Sequence, residues 1–296
     1  MTGLPTAPGA RLRLLLARPE PLVLPGCPDA LTARIAVAAG FEAVYATGAG
    51  IANARLGRPD VGLTTMTEVA DQVARMCDAV DAPVVADIDT GFGNAINAQR
   101  TVRAFERAGV AAVQIEDQVF PKRCGHFAGK EIVPAGEMLG KLRAVLDARA
   151  DASLVVIART DAIAVDRVDA AVERANRYAD AGADVVFVEA PPTLEVLAEL
   201  PRRVRAPLLA NMVEGGRTPL LSAAELGALG YRIVLFANTA LRVAAAAVRD
   251  ALVELRASGD ARPLVDRMLS WDDRQALVGL PEIEALEQRY RTEDDR

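Results

Sequence analysis

Four segments of this chain repeat one pattern. "AAGFEAVYATG" ends at Gly48, "RAGVAAVQIED" at Asp117, "DAGADVVFVEA" at Ala190 and "ALGYRIVLFAN" at Asn238. Each begins as a helix end with Gly where a left-handed turn is tolerated. Each continues as an apolar run of the length of a buried strand. Three more runs, "APVVADID", "LVVIART" and "APLLANMV", fall between them, and "PLVLPG" lies upstream. The sum is eight strand candidates, near residues 22–25, 42–47, 83–89, 111–116, 154–160, 184–189, 207–213 and 232–238.

Helical spacing fills most of the gaps. "NAQRTVRAFERAG" and "DAAVERANRYADAG" place apolar residues three and four apart. Alternating strands and helices imply parallel strands with right-handed crossovers. Eight units in succession predict an α/β fold, a (β/α)8 barrel of the TIM type. A doubly wound open sheet is the rival. It would need a glycine-rich nucleotide loop, and "TGAGIANARLG" lacks the G-x-G-x-x-G spacing. The expected organisation is one barrel domain over residues 1–296. The barrel occupies about 20–250, and a helical extension about 260–292 is interrupted near Gly279, Leu280 and Pro281. Helices left over after a barrel closes must bury their apolar faces elsewhere, which predicts an oligomer.

Composition narrows the function. Apolar residues make up 51% and aromatics 4%, which suits helices on buried parallel strands. The net charge of −6 offers no basic field for nucleic acid. Cys27, Cys77 and Cys124 form neither a disulfide framework nor a zinc spacing, so the expected setting is a reducing cytoplasm. The run "LRLLLA" near the start is too short for a signal peptide, and no 18-residue apolar span predicts a membrane helix.

In a barrel of this kind the active site gathers at the C-terminal ends of the strands. Nearly every candidate strand ends in a polar group. These are Tyr45, Thr47 and Gly48 on the second, Asp87 and Asp89 on the third, and Glu116 and Asp117 on the fourth. The fifth carries Arg159, Thr160 and Asp161, and the last three carry Glu189, Asn211 and Asn238. Helix capping accounts for Asp161 and is open for Asp117. It does not account for the whole ring, because carboxylates gathered at one mouth repel each other. Asp87 and Asp89 flank Ile88 and so face one side. With Glu116 and the loop residue Asp60 they make an oxygen-rich set without His, suited to Mg2+ or Mn2+ rather than zinc.

The stretch "EDQVFPKRCGH", residues 116–126, holds the single histidine and one of three cysteines. After the fourth strand it is a mouth loop. Lys122 and Arg123 beside Cys124 would favour a thiolate. Gly125 permits close approach to a ligand. His126 can donate to a carboxylate. Cys27, Cys77 and Trp271 lack such surroundings and read as packing residues.

"KRCGH", "DIDTGFGN", "IEDQ", "TGAG", "LGRPDVGLTT", "ARTDA", "VEA" and "LLANMVEGGRTP" recur in order from about Leu22 to Arg249. Together they resemble the isocitrate lyase/phosphoenolpyruvate mutase superfamily. The resemblance implies a (β/α)8 barrel, bound Mg2+, and homotetramers that swap a C-terminal helix. The Cys-bearing loop resembles the lyase branch. That branch cleaves a carbon–carbon bond in a 2-hydroxy di- or tricarboxylate, such as 2-methylisocitrate or 2,3-dimethylmalate, to a 2-oxo acid and a second carboxylate. The alternative is a phosphorus–carbon mutase of the same superfamily; a barrel kept as a scaffold or ligand sensor is a third reading. By resemblance Asp87 would ligate the metal, with Asp89, Glu116 and Asp60 acting partly through water. Tyr45, Thr47, Gly48 and Ala49 would hold the keto-acid part, and Arg159 its oxygens. Cys124 would be the acid/base, with Lys122, His126, Glu116 and Tyr45 around it. Gly125, His126, Asn211, Glu189 and Arg242 would hold the remaining carboxylates of a small anionic substrate.

Overall fold

The structure is a computed structural model that describes residues 7–125 and 129–291. Eight parallel strands close into a barrel in sequence order. They are β1 (Leu22–Cys27), β2 (Val44–Ala46), β3 (Val84–Asp87) and β4 (Ala112–Glu116), then β5 (Val155–Thr160), β6 (Val185–Val188), β7 (Leu208–Asn211) and β8 (Ile233–Phe236). Closure is between β1 and β8, with Leu22 opposite Ile233 and Leu24 opposite Leu235. All eight expected strands are present; the first runs two residues further than expected and the others are trimmed by one to three residues.

Helix α1 (Pro8–Leu16) precedes the first strand. The connections carry α2 (Ala30–Ala38), α3 (Gly48–Leu56) and α4 (Met66–Ala79), then α5 (Ala95–Ala108) and α6 (Ala135–Ala148). They continue with α7 (Val168–Asp180), α8 (Leu194–Arg203) and α9 (Ala223–Leu229). The repeat noticed in the sequence has a backbone cause. Gly40, Gly109, Gly182 and Gly230 all have φ between 94° and 110°, a left-handed conformation that a side chain would strain. Each ends a helix and turns the chain into the next strand.

Two apolar cores follow from the period of two along each strand. Val44, Ala86, Val113, Val156 and Val186 face outward and pack beneath the helices. Leu24, Tyr45, Val85, Ala112, Ile157, Phe187, Leu209 and Leu235 face the barrel interior. Leu12 and Leu15 of α1 join this inner cluster. The "LRLLLA" run is therefore part of the barrel's packing.

Alternation also sets the chemistry of the mouth. Counting up from Val85, Ala112, Ile157, Phe187 and Leu209, the next inward positions are Asp87, Gln114 and Glu116, Arg159, Glu189 and Asn211. Apolar residues fill the barrel below, and polar ones crown it at the C-terminal ends.

The chain divides into two units, one up to Leu241 and one from Arg242 onward. The second holds most of α10 (Thr239–Ser258), a 3-10 segment (Arg262–Arg267), α11 (Trp271–Leu277) and α12 (Leu280–Tyr290). The expected interruption is at Gly279, whose φ is 83°. Trp271 does not pack within the chain as expected: it is 69% exposed, with the Arg274 guanidinium 4.3 Å over its ring. Among the described residues no helix is long and apolar enough to cross a membrane.

Candidate active site

One cavity opens at the polar end of the barrel. Tyr45, Thr47, Ala49, Asp60, Asp87, Lys122, Cys124, Gly125, Arg159, Glu189 and Asn211 line it, together with Phe187, Val213, Leu235, Ala237 and Asn238. Its volume is about 30 Å³. That is about a tenth of the smallest usual ligand pocket, roughly 300 Å³.

The carboxylate wall comes from the ends of β3 and β4 and the loop before α4. Asp87 is the last residue of β3. Asp89 is not on the strand, as the alternation had suggested. It sits in a left-handed turn with φ 48°, and its N–H donates to Asp87 Oδ1 at 3.1 Å. A β-branched or bulky residue would be strained there; aspartate tolerates it better. Gly48, the first residue of α3, rests on this pair. A β-carbon at Gly48 would come 2.9 Å from Asp87 Oδ2 and 3.4 Å from Asp89 Oδ1.

Lys122 reaches into the same wall. Its Nζ lies 2.6 Å from Asp60 Oδ1 and 2.8 Å from Asp89 Oδ1, and the side chain is 4% exposed. Burial disfavours its charge, but Asp89 and Asp60 outweigh that and hold its pKa well above the ordinary lysine value. Its positive charge is therefore directed at these carboxylates, and not at the thiol two residues on, where the sequence reading had placed it.

Arg159, from β5, stands next to Glu116 of β4. Nε donates to Asp161 Oδ2 at 2.9 Å and lies 3.3 Å from Glu116 Oε2; Nη2 is 3.1 Å from Glu189 Oε2. Phe187 lies beneath the guanidinium, 5.1 Å from ring centre to Cζ. Asp161 is thus no helix cap, contrary to expectation. Its side chain caps nothing and instead holds Arg159 and Lys130. Asp117 is not a cap either; it accepts from Thr160 Oγ1, Tyr178 Oη and the Asp161 N–H on the outer side of the barrel.

Six buried carboxyls, Asp60, Asp87, Asp89, Glu116, Asp161 and Glu189, surround three buried cations, Lys122, Lys130 and Arg159. Burial, with Asp89 next in effect, raises Asp87 to about 6. Burial also lifts Asp89 and lifts Glu116 well above the usual carboxylate range. Glu116 Oε1 is buried and accepts no hydrogen bond among the described residues. Among the described residues, no group of three or more His, Cys, Asp or Glu side chains is gathered closely enough to hold a metal by itself. The chemistry of the donor set fits a hard divalent cation that takes few protein oxygens and completes its shell with water and substrate.

Tyr45 is buried, and burial raises its pKa well above the ordinary value, so it is a neutral phenol. It donates to Gln114 Oε1 at 2.8 Å, and Gln114 Nε2 lies 3.4 Å from Asp87 Oδ1. Gln114 escaped the sequence reading, although a polar residue two before Glu116 on an apolar strand is a usable signal. Thr47 Oγ1 caps α3 by accepting from the Gly50 N–H. Ala49 and Gly48 open that helix, whose free N–H groups favour an anion.

Cys124 lines the same cavity as Asp87 and is in no disulfide. Gly125 lies against the Arg159–Glu189 pair so tightly that a β-carbon would come 2.6 Å from Glu189 Oε2. Cys27 and Cys77 are packing residues as expected, with burial pushing both thiols up to about 12. His126 lies outside the described residues, and Arg242 belongs to the C-terminal unit. Asn211 and Asn238 each present a buried amide oxygen that accepts no hydrogen bond among the described residues.

Known proteins are similar to this chain in sequence and in fold. The family described as phosphoenolpyruvate phosphomutase matches residues 12–256. A 2,3-dimethylmalate lyase of Eubacterium barkeri is 44% identical over 283 residues, covering 96% of this chain and 98% of that one. A 2-methylisocitrate lyase of Aeropyrum pernix is 43% identical, covering 94% and 89%. Among solved structures, an oxaloacetate acetylhydrolase with the inhibitor 3,3-difluorooxalacetate superposes with a TM-score of 0.92 at 35% identity, covering 97% and 98%. A phosphonopyruvate hydrolase complexed with oxalate and Mg2+ superposes with a TM-score of 0.86 at 32% identity, covering 96% and 99%. The chain belongs to the phosphoenolpyruvate mutase/isocitrate lyase superfamily, among its carbon–carbon lyases.

Proposed function

We propose that this protein is a Mg2+-dependent lyase of a 2-hydroxy di- or tricarboxylate of the 2,3-dimethylmalate or 2-methylisocitrate kind. The products are pyruvate or a related 2-oxo acid and a second carboxylate. The carrying observation is one cavity lined by the Asp60 and Asp87 carboxylates together with Arg159 and Cys124. The names of the two curated relatives support the same chemistry.

Asp87 would hold the ion, with Asp60, Asp89 and Glu116 joining partly through water; Mn2+ would suit the same oxygens. The ion supplies positive charge that polarises the substrate's oxygens. The chain's residues do the rest. The N–H groups at Gly48 and Ala49 and the Arg159 guanidinium bind the 2-oxo-acid half. Thr47 holds those N–H groups in place by capping α3, and Tyr45 bonds to Gln114 beside Asp87. A carboxylate of the acid wall takes the hydroxyl proton. The carbon–carbon bond breaks, and its electron pair passes to the departing half. Cys124 gives that carbon its proton. Asn211, Glu189, Gly125, His126 and Arg242 serve the remaining carboxylates. A positioned proton donor contributes roughly 10²–10⁴-fold.

Incubation with Mg2+ and a panel of 2-hydroxy acids, with pyruvate followed by a coupled dehydrogenase, tests this. Release from a panel member is expected. Failure with every member at high protein concentration sinks the reading.

The assembly we propose is a homotetramer that exchanges C-terminal helices in the cytoplasm. Its support is that α10 buries none of its residues, and Val243, Val248, Leu252 and Val253 are each more than half exposed. Light scattering giving a mass near that of one chain would overturn it.

A further inference from the structure

Residues 122–125 form no helix or strand, yet Cys124 must stand at a defined place beside the cavity. Three attachments define it. The Cys124 N–H donates to the Asp60 carbonyl at 3.1 Å. Gln118 clamps the preceding residue from both sides: its Oε1 accepts from the Arg123 N–H at 2.9 Å, and its Nε2 donates to the Arg123 carbonyl at 2.8 Å. Lys130 takes the following residue, donating from Nζ to the Gly125 carbonyl and to Asp161 Oδ1.

Both side chains are buried, Gln118 at 1% exposure and Lys130 at 7%. A lysine is seldom buried unless paired, and this one divides its pairing between the loop and the floor. Asp161 is the carboxylate that also orients Arg159. One buried ammonium thus ties the sulfur-bearing loop to the Asp161–Arg159 pair. Neither Gln118 nor Lys130 lines that cavity.

We propose that Lys130 and Gln118 are positioning residues that set where Cys124 stands, Lys130 by linking the Gly125 carbonyl to the Asp161–Arg159 pair. The catalytic consequence rests on the lyase reading; the placement of the thiol does not. A purely structural role, neutralising Asp161 or filling space, would change melting and leave the thiol's reactivity alone.

The test compares the full-length protein with Lys130→Met, Gln118→Leu and the milder Gln118→Glu. Alkylation of Cys124 by iodoacetamide is timed by peptide mass spectrometry, with Cys77 as internal standard. Alkylation of Cys124 is expected to accelerate at least about fivefold while Cys77 is unchanged. A misplaced reacting group of about 1 Å costs on the order of 10²-fold, so kcat is expected to fall about 10- to 100-fold with KM nearly constant. Gln118→Glu keeps the acceptor for the Arg123 N–H and should fall between. If Lys130→Met does not fold, the Gln118 variants decide. A folded variant of either residue with wild-type alkylation and kcat overturns the proposal. Accelerated alkylation in a protein that turns over no substrate upholds the positioning and overturns only the lyase reading.

Discussion

Gly125 rests on Glu189: a β-carbon added to the glycine would lie 2.6 Å from Glu189 Oε2, and closer still to Arg159. The clash is with a pair fixed from several sides, so it cannot be relieved by swinging one flexible tip. Gly125→Ala should hold the Cys124 loop off the cavity. The expected loss in kcat/KM is roughly 10²-fold, with the melting temperature unchanged. Steady-state kinetics beside a thermal melt check this, and wild-type kinetics in a folded variant would refute it.

Lys122 neutralises Asp60 and Asp89 in a setting where neither acid is more than 8% exposed at its side chain. Removing one partner of a buried pair leaves uncompensated charge. Lys122→Met should therefore cost roughly 3–5 kcal/mol of stability. Added Mg2+ should recover part of that loss, because it supplies the missing positive charge. Urea melts with and without the ion read both effects.

Cys124→Ser alters one atom at a half-buried position. Turnover should drop by about 10²–10⁴-fold while melting and Mg2+ affinity hold. Equal losses in melting and turnover would assign the residue to packing.

Asp87 gives the metal-free protein a pH dependence of definite sign. Its folded pKa is raised to about 6, against about 4 in the unfolded chain. The folded state thus holds the proton more tightly. The stability this contributes is fully present below about pH 4 and is lost as pH rises through about 6. Chelator-treated protein should lose that increment over this window, and Asp87→Asn should reduce the change, leaving what the raised Asp89 and Glu116 contribute. Mg2+ should restore stability above pH 6, where the carboxylate is free to bind it. Chelation should also abolish turnover. A flat profile in the metal-free protein would contradict the buried state of Asp87.

The barrel was legible in the chain because its signals are local. A left-handed glycine after each of four helices, and an apolar run after each glycine, are properties of neighbouring residues. Period-two alternation then decides which side chains face inward, so Asp87, Glu116, Arg159, Glu189 and Asn211 could be nominated from position alone. Tertiary structure decided what those groups do to one another. Asp161 looked like a cap and turned out to hold Arg159, two residues before it, and Lys130, 31 residues away. Lys122 looked like the thiol's neighbour and instead bonds to Asp60, 62 residues away. Gln118 and Lys130 carried no local signal, since their partners are backbone atoms of the loop and, for Lys130, the Asp161 carboxylate 31 residues away. Charge pairing across a closed barrel depends on distances of a few ångströms between strands far apart in sequence, and only the folded backbone sets those distances.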